Sequence, residues 1–175
     1  VVGSIFSSNG EIKASTPGNT VEYYDGGANI KRPDSSYCHL KFSGSGTFQI
    51  NNADLTIGGD LNISATLKSN GYNIHLRGDW INNGVFKENS DEVVFLGHND
   101  QTITDPAGET LYDLKVDKPS GRLYLQDDVT VSNTLRMAQG DIDANGNKLT
   151  LGTGTSDPGS LTHNSGTVIG KLERW

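Results

Sequence analysis

Short apolar triplets recur along this chain at a nearly constant spacing, and that regularity limits the fold more than any other feature. They begin at Val21, Leu40, Leu55, Ile74, Val93, Leu114, Val129, Leu149 and Val168, in steps of 19, 15, 19, 19, 21, 15, 20 and 19 residues. Leu55-Thr56-Ile57, Ile74-His75-Leu76, Val129-Thr130-Val131 and Leu149-Thr150-Leu151 each set a polar residue between two apolar ones. On an extended backbone the two apolar side chains share one face and the polar one points the other way. A strand so short cannot bury its face alone. Evenly spaced strands separated by Gly and Asn form either the stacked coils of a solenoid or the hairpins of a sandwich. A solenoid treats every strand alike, whereas a sandwich asks for two-residue hairpin turns and longer alternating strands. No dozen residues hold a 3.6-residue apolar period without a Gly or Pro break, so helices are not expected. The expected fold is all-β, a right-handed parallel β-helix (β-solenoid) with rungs of about 20 residues. An antiparallel β-sandwich is the alternative. Nine rungs at about 4.8 Å would make a rod roughly 40 Å long.

A longer repeat lies over the short one. Leu40-Lys41-Phe42 matches Leu114-Lys115-Val116, Asp54-Leu55-Thr56-Ile57 matches Asp128-Val129-Thr130-Val131, and Leu61 matches Leu135, all offset by 74. Upstream, Asn9-Gly10-x-Ile12-Lys13 matches Asn83-Gly84-x-Phe86-Lys87 at the same offset, while Ile74-x-Leu76 matches Leu149-x-Leu151 at 75. Residues 1–165 therefore read as one solenoid domain built of two copies, about 9–82 and 83–160. Residues 166–175 read as the start of a following module or a terminal cap. Asn-Gly occurs at 9–10, 70–71, 83–84 and 145–146, always in a copied turn. Both residues tolerate the positive φ that a coil needs where it changes direction.

Charge and cysteine usage narrow the function. Fourteen Lys and Arg stand against 21 Asp and Glu, for a net charge of −7. Such a chain has no electrostatic footprint for nucleic acid or an anionic membrane. No apolar run approaches the roughly 20 residues of a membrane-spanning helix. A single cysteine, Cys38, excludes an internal disulfide framework. The chain begins at Val1 with no signal peptide, and so reads as a piece of something longer.

Several residues carry chemistry that has to be weighed. Asp141-Ile142-Asp143-Ala144-Asn145-Gly146 has the opening of a calcium loop, in which Asp141, Asp143 and Asn145 would converge on the ion. The twelfth position, where a bidentate Glu is needed, is Gly152, and the aligned stretch of the first copy has no acid. An Asn-Gly turn is the simpler reading, and no metal site is assigned. His39, His75, His98 and His163 lack metal-ligand spacing and read as solvent-facing. Cys38 alternates with Leu40 and Phe42 and reads as a small buried hydrophobe. Acid pairs such as Asp91-Glu92 and Asp127-Asp128 could serve polysaccharide cleavage with an Arg, but Arg77, Arg122 and Arg136 match no acid across the copies. These acids read as surface charge, and no catalytic residue and no cofactor is assigned. The outward slots that hold Thr56, Thr130 and Thr150 elsewhere hold Lys41, His75 and Lys115, too irregular for an ice-binding array. Aromatics are the better lead. Trp80, Tyr23, Tyr24, Tyr72 and Tyr124 lie near coil edges, where a ring can stack on the apolar face of a sugar. Trp80 also fits an inward alternation 74, 76, 78, 80 that would place it in the core.

The second copy runs Gln101-Thr102-Ile103, Leu111-Tyr112-Asp113-Leu114-Lys115-Val116, Asp128 to Leu135, Gly140-Asp141-Ile142 and Asn145 to Gly152 in one order. That order resembles repeat regions of very large secreted and cell-surface, adhesin-like proteins of Bacteroidota. The ending Gly166 to Trp175 is similar to the stretch that follows such a region. The resemblance implies export, usually as cargo of a type IX secretion route, an extracellular or cell-surface location, and a β-helical stalk. It brings no catalytic positions. The expected role is a non-catalytic structural and adhesive segment. Its partners would be neighbouring modules of the same chain, with a surface glycan or a host protein as further possibilities. A carbohydrate-binding module and a polysaccharide lyase or hydrolase are the alternatives.

Overall fold

A computed structural model describes residues 13–31, 33 and 35–175. The first Asn-Gly turn, Asn9-Gly10, lies outside them. Among the described residues there are fifteen strands and no helix. In chain order they are β1 (Thr20–Tyr24), β2 (His39–Ser43), β3 (Thr47–Gln49), β4 (Leu55–Ile57), β5 (Leu61–Ile63), β6 (Thr66–Lys68), β7 (Ile74–Leu76) and β8 (Trp80–Asn82). There follow β9 (Val85–Lys87), β10 (Glu92–Leu96), β11 (Gln101–Thr104), β12 (Glu109–Leu125), β13 (Val129–Leu151), β14 (Ser160–His163) and β15 (Val168–Arg174).

Every strand pairs in parallel with a strand about one turn away, which gives a β-solenoid of about seven turns with rungs of about 21 residues. The antiparallel sandwich is thereby excluded. One file of inward residues counts the turns: Tyr37, Ile57, Leu76, Phe95, Val116, Met137 and His163 are successive partners. All but the last are buried. The steps are 20, 19, 19, 21, 21 and 26 residues. The long final step holds the excursion Gly152–Gly159, closed by the bridge Gly154–Asp157, which is antiparallel.

Each turn has three flat faces, not one strand. In one turn the chain visits a first face (β4), a second (β5) and a third (β6), then returns to the first as β7. The strands β12 and β13 bend round corners without interruption and serve all three faces in turn. The nine triplets therefore overcount the turns. The two steps of 15 residues are crossings between faces: Leu40 is on the second face and Leu55 on the first, while Leu114 is on the first and Val129 on the third. The offset of 74 likewise joins positions on different faces. Seven turns at about 4.8 Å make a stack of roughly 30–35 Å.

The core follows from alternation. On β4, β5, β7 and β8 the outer residues of each triplet are buried and the middle one is partly exposed. Stacking then lines up like side chains: Leu55, Ile74, Val93, Leu114 and Leu135 form one buried file. No turn supplies this burial alone, so stability comes from the interface between neighbours. Near the first turns the core is aromatic, with Phe42 stacked on Tyr23 at 5.6 Å and tilted on Phe48 at 5.2 Å.

Turn chemistry is mixed at the Asn-Gly pairs. Asn70-Gly71 and Asn145-Gly146 have positive φ at both residues, as the dipeptide predicts. Gly84 does not. There a Cβ would lie 2.2 Å from the Ala65 carbonyl oxygen, so glycine is required by a close approach of neighbouring turns. Residues 168–174 continue the stack, pairing on β13.

Candidate functional site

The corners between faces carry most of the polar chemistry, and it runs along the stack. At the corner between the first and second faces, Asp60 N donates to His39 Nδ1 (2.9 Å), Asp79 N to Asp60 Oδ1 (2.9 Å) and Thr102 N to Asp79 Oδ1 (2.8 Å). Farther along the same corner Arg122 N donates to Asp100 Oδ1 and Thr167 N to Asp141 Oδ1, both at 2.9 Å. Other corners repeat the device: Asn73 N donates to Asp54, Thr134 N to Asp113 and Lys148 N to Asp128. A corner carboxylate thus satisfies a backbone N–H of the next turn that the ladder leaves free. The acids expected to be mere surface charge act as staples between turns.

The remaining acid pairs are also engaged. Asp127 accepts from Asp105 N at 2.9 Å. Glu92 pairs with Arg136 at 2.8 Å, and Arg136 also reaches Asp113 at 3.3 Å. Arg122 and Arg136 therefore do meet acids of other turns, Asp141 and Asp113 one turn away and Glu92 two turns away. Asp91 is buried, with Oδ1 accepting from Ser69 Oγ (2.6 Å) and Asn89 N (2.7 Å) and Oδ2 without a partner. Burial pushes its carboxyl up, against the pull of those donors.

The calcium-like stretch is a corner. Asp143 Oδ1 accepts from Asn145 N at 3.0 Å, a local turn bond, and Asp141 is taken by Thr167 N. Arg122 sits 3.6 Å from Asp141 and 3.7 Å from Asp143. Among the described residues no three of His, Cys, Asp and Glu gather as metal ligands. His75 faces outward between Ile74 and Leu76, and His98 and His163 are exposed. Cys38 departs from expectation. It is half-buried at the corner before β2, and the fully buried residue there is Tyr37. The strand begins one residue too late for Cys38 to take an inward slot. Of the threonines, Thr130 stacks on Thr110, but this file on the third face runs into Glu173 beside Thr150.

The five aromatic candidates separate cleanly. Trp80 has no accessible surface: Phe86 meets it edge-on at 4.9 Å and its Nε1 donates to Glu109 Oε2 at 2.5 Å. It offers no ring face to a ligand, and its place is the core. Tyr23 packs on the core, and its hydroxyl meets that of Tyr37 at 2.9 Å and accepts from Lys31 N at 2.7 Å. Tyr72 also packs on the core from a corner. Tyr24 is 69% exposed on the first turns. Tyr124 is half-buried and lines an open groove on the far turns.

Glu109 and Lys118 are buried charged groups that the apolar triplets did not mark. Glu109 takes an inward slot of the third face, where the ladder β3–β6–β9 stops and does not pair with β12. Its Oε2 accepts from Trp80 and from Asn82 Nδ2 (2.9 Å), and its Oε1 from Thr110 N (3.1 Å). Asn82 Nδ2 also reaches Asp105 Oδ2 at 3.2 Å. Desolvation outweighs these donors and pushes the Glu109 carboxyl up to about 7, with the Asp105 charge adding to the rise. Lys118 turns inward, donating to Asn99 O (2.7 Å) and Gln101 Oε1 (2.6 Å), and burial lowers its ammonium. The alternation Glu109, Leu111 carried the first signal, since both residues fall on the inward phase.

The chain matches no family model, no curated protein and no solved structure.

Proposed function

We propose that this chain is a non-catalytic structural segment of a secreted or cell-surface bacterial protein, a rod that spaces and presents the modules joined to it. The observation that carries the reading is the unbroken stack, in which Leu55, Ile74, Val93, Leu114 and Leu135 form one buried file that no single turn could bury alone. Leu161 stacks on Leu135 and Leu172 on Leu149. Leu135 and Leu149 are 0% exposed, while Leu161 is 40% and Leu172 41% exposed, and Trp175 beside them is 51% exposed. The inward files reach this end of the rod uncovered, and β14 and β15 each pair on one side only.

The corner acids Asp54, Asp60, Asp79, Asp100, Asp113, Asp127, Asp128 and Asp141 support the non-catalytic part, because each accepts a backbone N–H of a neighbouring turn. The surface location rests on the resemblance to Bacteroidota repeat regions. Two measurements test the reading. Adding one coil patterned on residues 134–151 after Trp175 raises the melting temperature and slows hydrogen exchange in β14 and β15. Equal exchange with and without it would mean that the last turn needs no cover. In intact source cells, an antibody to the rod labels the surface; labelling only after lysis would remove the location.

A further inference from the structure

The groove beside Tyr124 arises where one corner departs from the regular stack. Between the paired residues Val116 and Leu123 the chain holds six residues (117–122), whereas between Met137 and Ile142, stacked on them, it holds four (138–141). At the longer corner Pro119 and Ser120 are exposed and line one side, with Ser120 Oγ donating to His98 O at 2.9 Å. Beneath it Gly121, Gly140 and Gly166 form a corner without side chains, and a Cβ at Gly166 would lie 2.0 Å from the Gly140 carbonyl oxygen. The result is a groove of about 570 Å³ whose lining includes Asp100, Arg122, Tyr124, Gln139, Asp141 and Ser165. That size is in the range of small-molecule sites.

Its polar groups are fixed before any ligand arrives. The Arg122 backbone N–H holds Asp100, and the Arg122 guanidinium, 46% exposed, is steadied between Asp141 and Asp143. The Lys118 ammonium points away, into its bonds with Asn99 and Gln101. The groove therefore combines one partly exposed aromatic ring, one oriented planar donor and the carboxylate acceptors Asp100 and Asp141. A ring face suits the apolar C–H face of a sugar, and fixed donors and acceptors suit its hydroxyl edge. The charged groups of the lining balance, Asp100 and Asp141 against Arg122 and Lys118, so the groove has no net positive charge to attract uronic, sialylated or sulfated glycans.

We propose that this groove binds a short stretch of neutral saccharide, with Tyr124 as the stacking platform and Arg122 and Asp100 as hydroxyl partners. The assignment stands on the groove alone and does not need the rod reading. It also singles out Tyr124 from the other aromatics, which lie on other turns or in the core.

The test is native gel electrophoresis of the whole chain in gels containing mannan, β-glucan, xylan or galactan, with alginate as the acidic comparison. At least one neutral polysaccharide retards the wild type, and Tyr124→Ala and Arg122→Gln each weaken that retention tenfold or more. Tyr24→Ala, on the same face several turns away, leaves it unchanged. If Tyr124→Ala lowers the melting temperature, Arg122→Gln, a surface change, decides the matter. Retardation by none of the four, by alginate alone, or equally in wild type and both groove variants overturns the proposal. So does an equal loss in Tyr24→Ala.

Discussion

Replacing Glu109 by Gln makes the protein more stable at neutral pH, and the pH dependence of the gain is fixed by its surroundings. In the unfolded chain a glutamate titrates near 4.5; in the fold Glu109 is buried between Trp80, Asn82 and Thr110 and titrates near 7. A carboxyl raised in this way favours folding most where both states hold the proton, below pH 4.5. As pH rises, the unfolded chain releases its proton first, and the stabilisation is lost progressively until the folded group also ionises near 7. The difference of about 2.5 units is worth about 3 kcal/mol, or about 6–12 °C in melting temperature for a chain of this size. The amide of the Glu109→Gln variant keeps the shape and an oxygen for Trp80 and Asn82 but cannot ionise. Thermal melts of wild type and Glu109→Gln from pH 4 to pH 8 therefore run together at the acid end and separate above pH 5, with the variant higher. Asp91, also raised by burial, titrates in both proteins and cancels in the difference. Parallel curves over the whole range would refute the argument, because they would mean that Glu109 is no harder to ionise in the fold than in the unfolded chain.

Asp79→Ala removes the acceptor of Thr102 N and costs about 1–2 kcal/mol; hydrogen exchange at Thr102 quickens, and Asp79→Asn, which retains an oxygen, restores most of the protection. Leu135→Ala opens a cavity inside the stack and costs about 2–5 kcal/mol, whereas Leu161→Ala, on the uncovered turn directly above, costs less than about 1 kcal/mol, the two being read from paired melts. Gly146→Ala, at φ +85 with nothing near its Cβ, loses about 1 kcal/mol to backbone strain. Gly166→Ala adds a clash with the Gly140 backbone and loses more; equal losses in melting temperature would dispose of the close-approach account.

The period of the coil was legible because two apolar residues flanking a polar one have no other stable use at that spacing. The number of strands per turn was not. Leu55-Thr56-Ile57, Leu61-Asn62-Ile63 and Thr66-Leu67-Lys68 occupy three faces of a single turn, yet the corners between them are only two or three residues long, and while Gly58-Gly59 punctuates the first, Ser64-Ala65 does not mark the second. One face was counted where three exist. The staples were missed for the same reason. Asp60 and Asp79 differ by 19 and Asp79 and Thr102 by 23, and those intervals mean something only once the turn length is known. Trp80 was legible as a core residue by alternation and as a glycan contact by residue type; the end of the third-face ladder beside it, with Glu109 to bind its Nε1, decides for the core. Cys38 was misplaced because a corner shifts the phase of alternation, and nothing in Tyr37-Cys38-His39 marks that shift.

The staples also explain where a function can reside on so repetitive a surface. A corner carboxylate that already accepts a backbone N–H of the next turn has one oxygen fixed and little freedom to move, so a regular corner offers a ligand only a flat file of occupied groups. Chemistry becomes available where the register slips. The slip between Val116 and Leu123 is one such place: it adds two residues to the corner and leaves Arg122 and Tyr124 beside an open groove. The acids there remain staples, since Asp100 and Asp141 still hold Arg122 N and Thr167 N. The second oxygen of Asp141 stands 3.6 Å from a guanidinium that is itself held in place. The same hydrogen bonds that fasten one turn to the next therefore pre-set the polar edge of the groove, and binding there would spend little on ordering side chains.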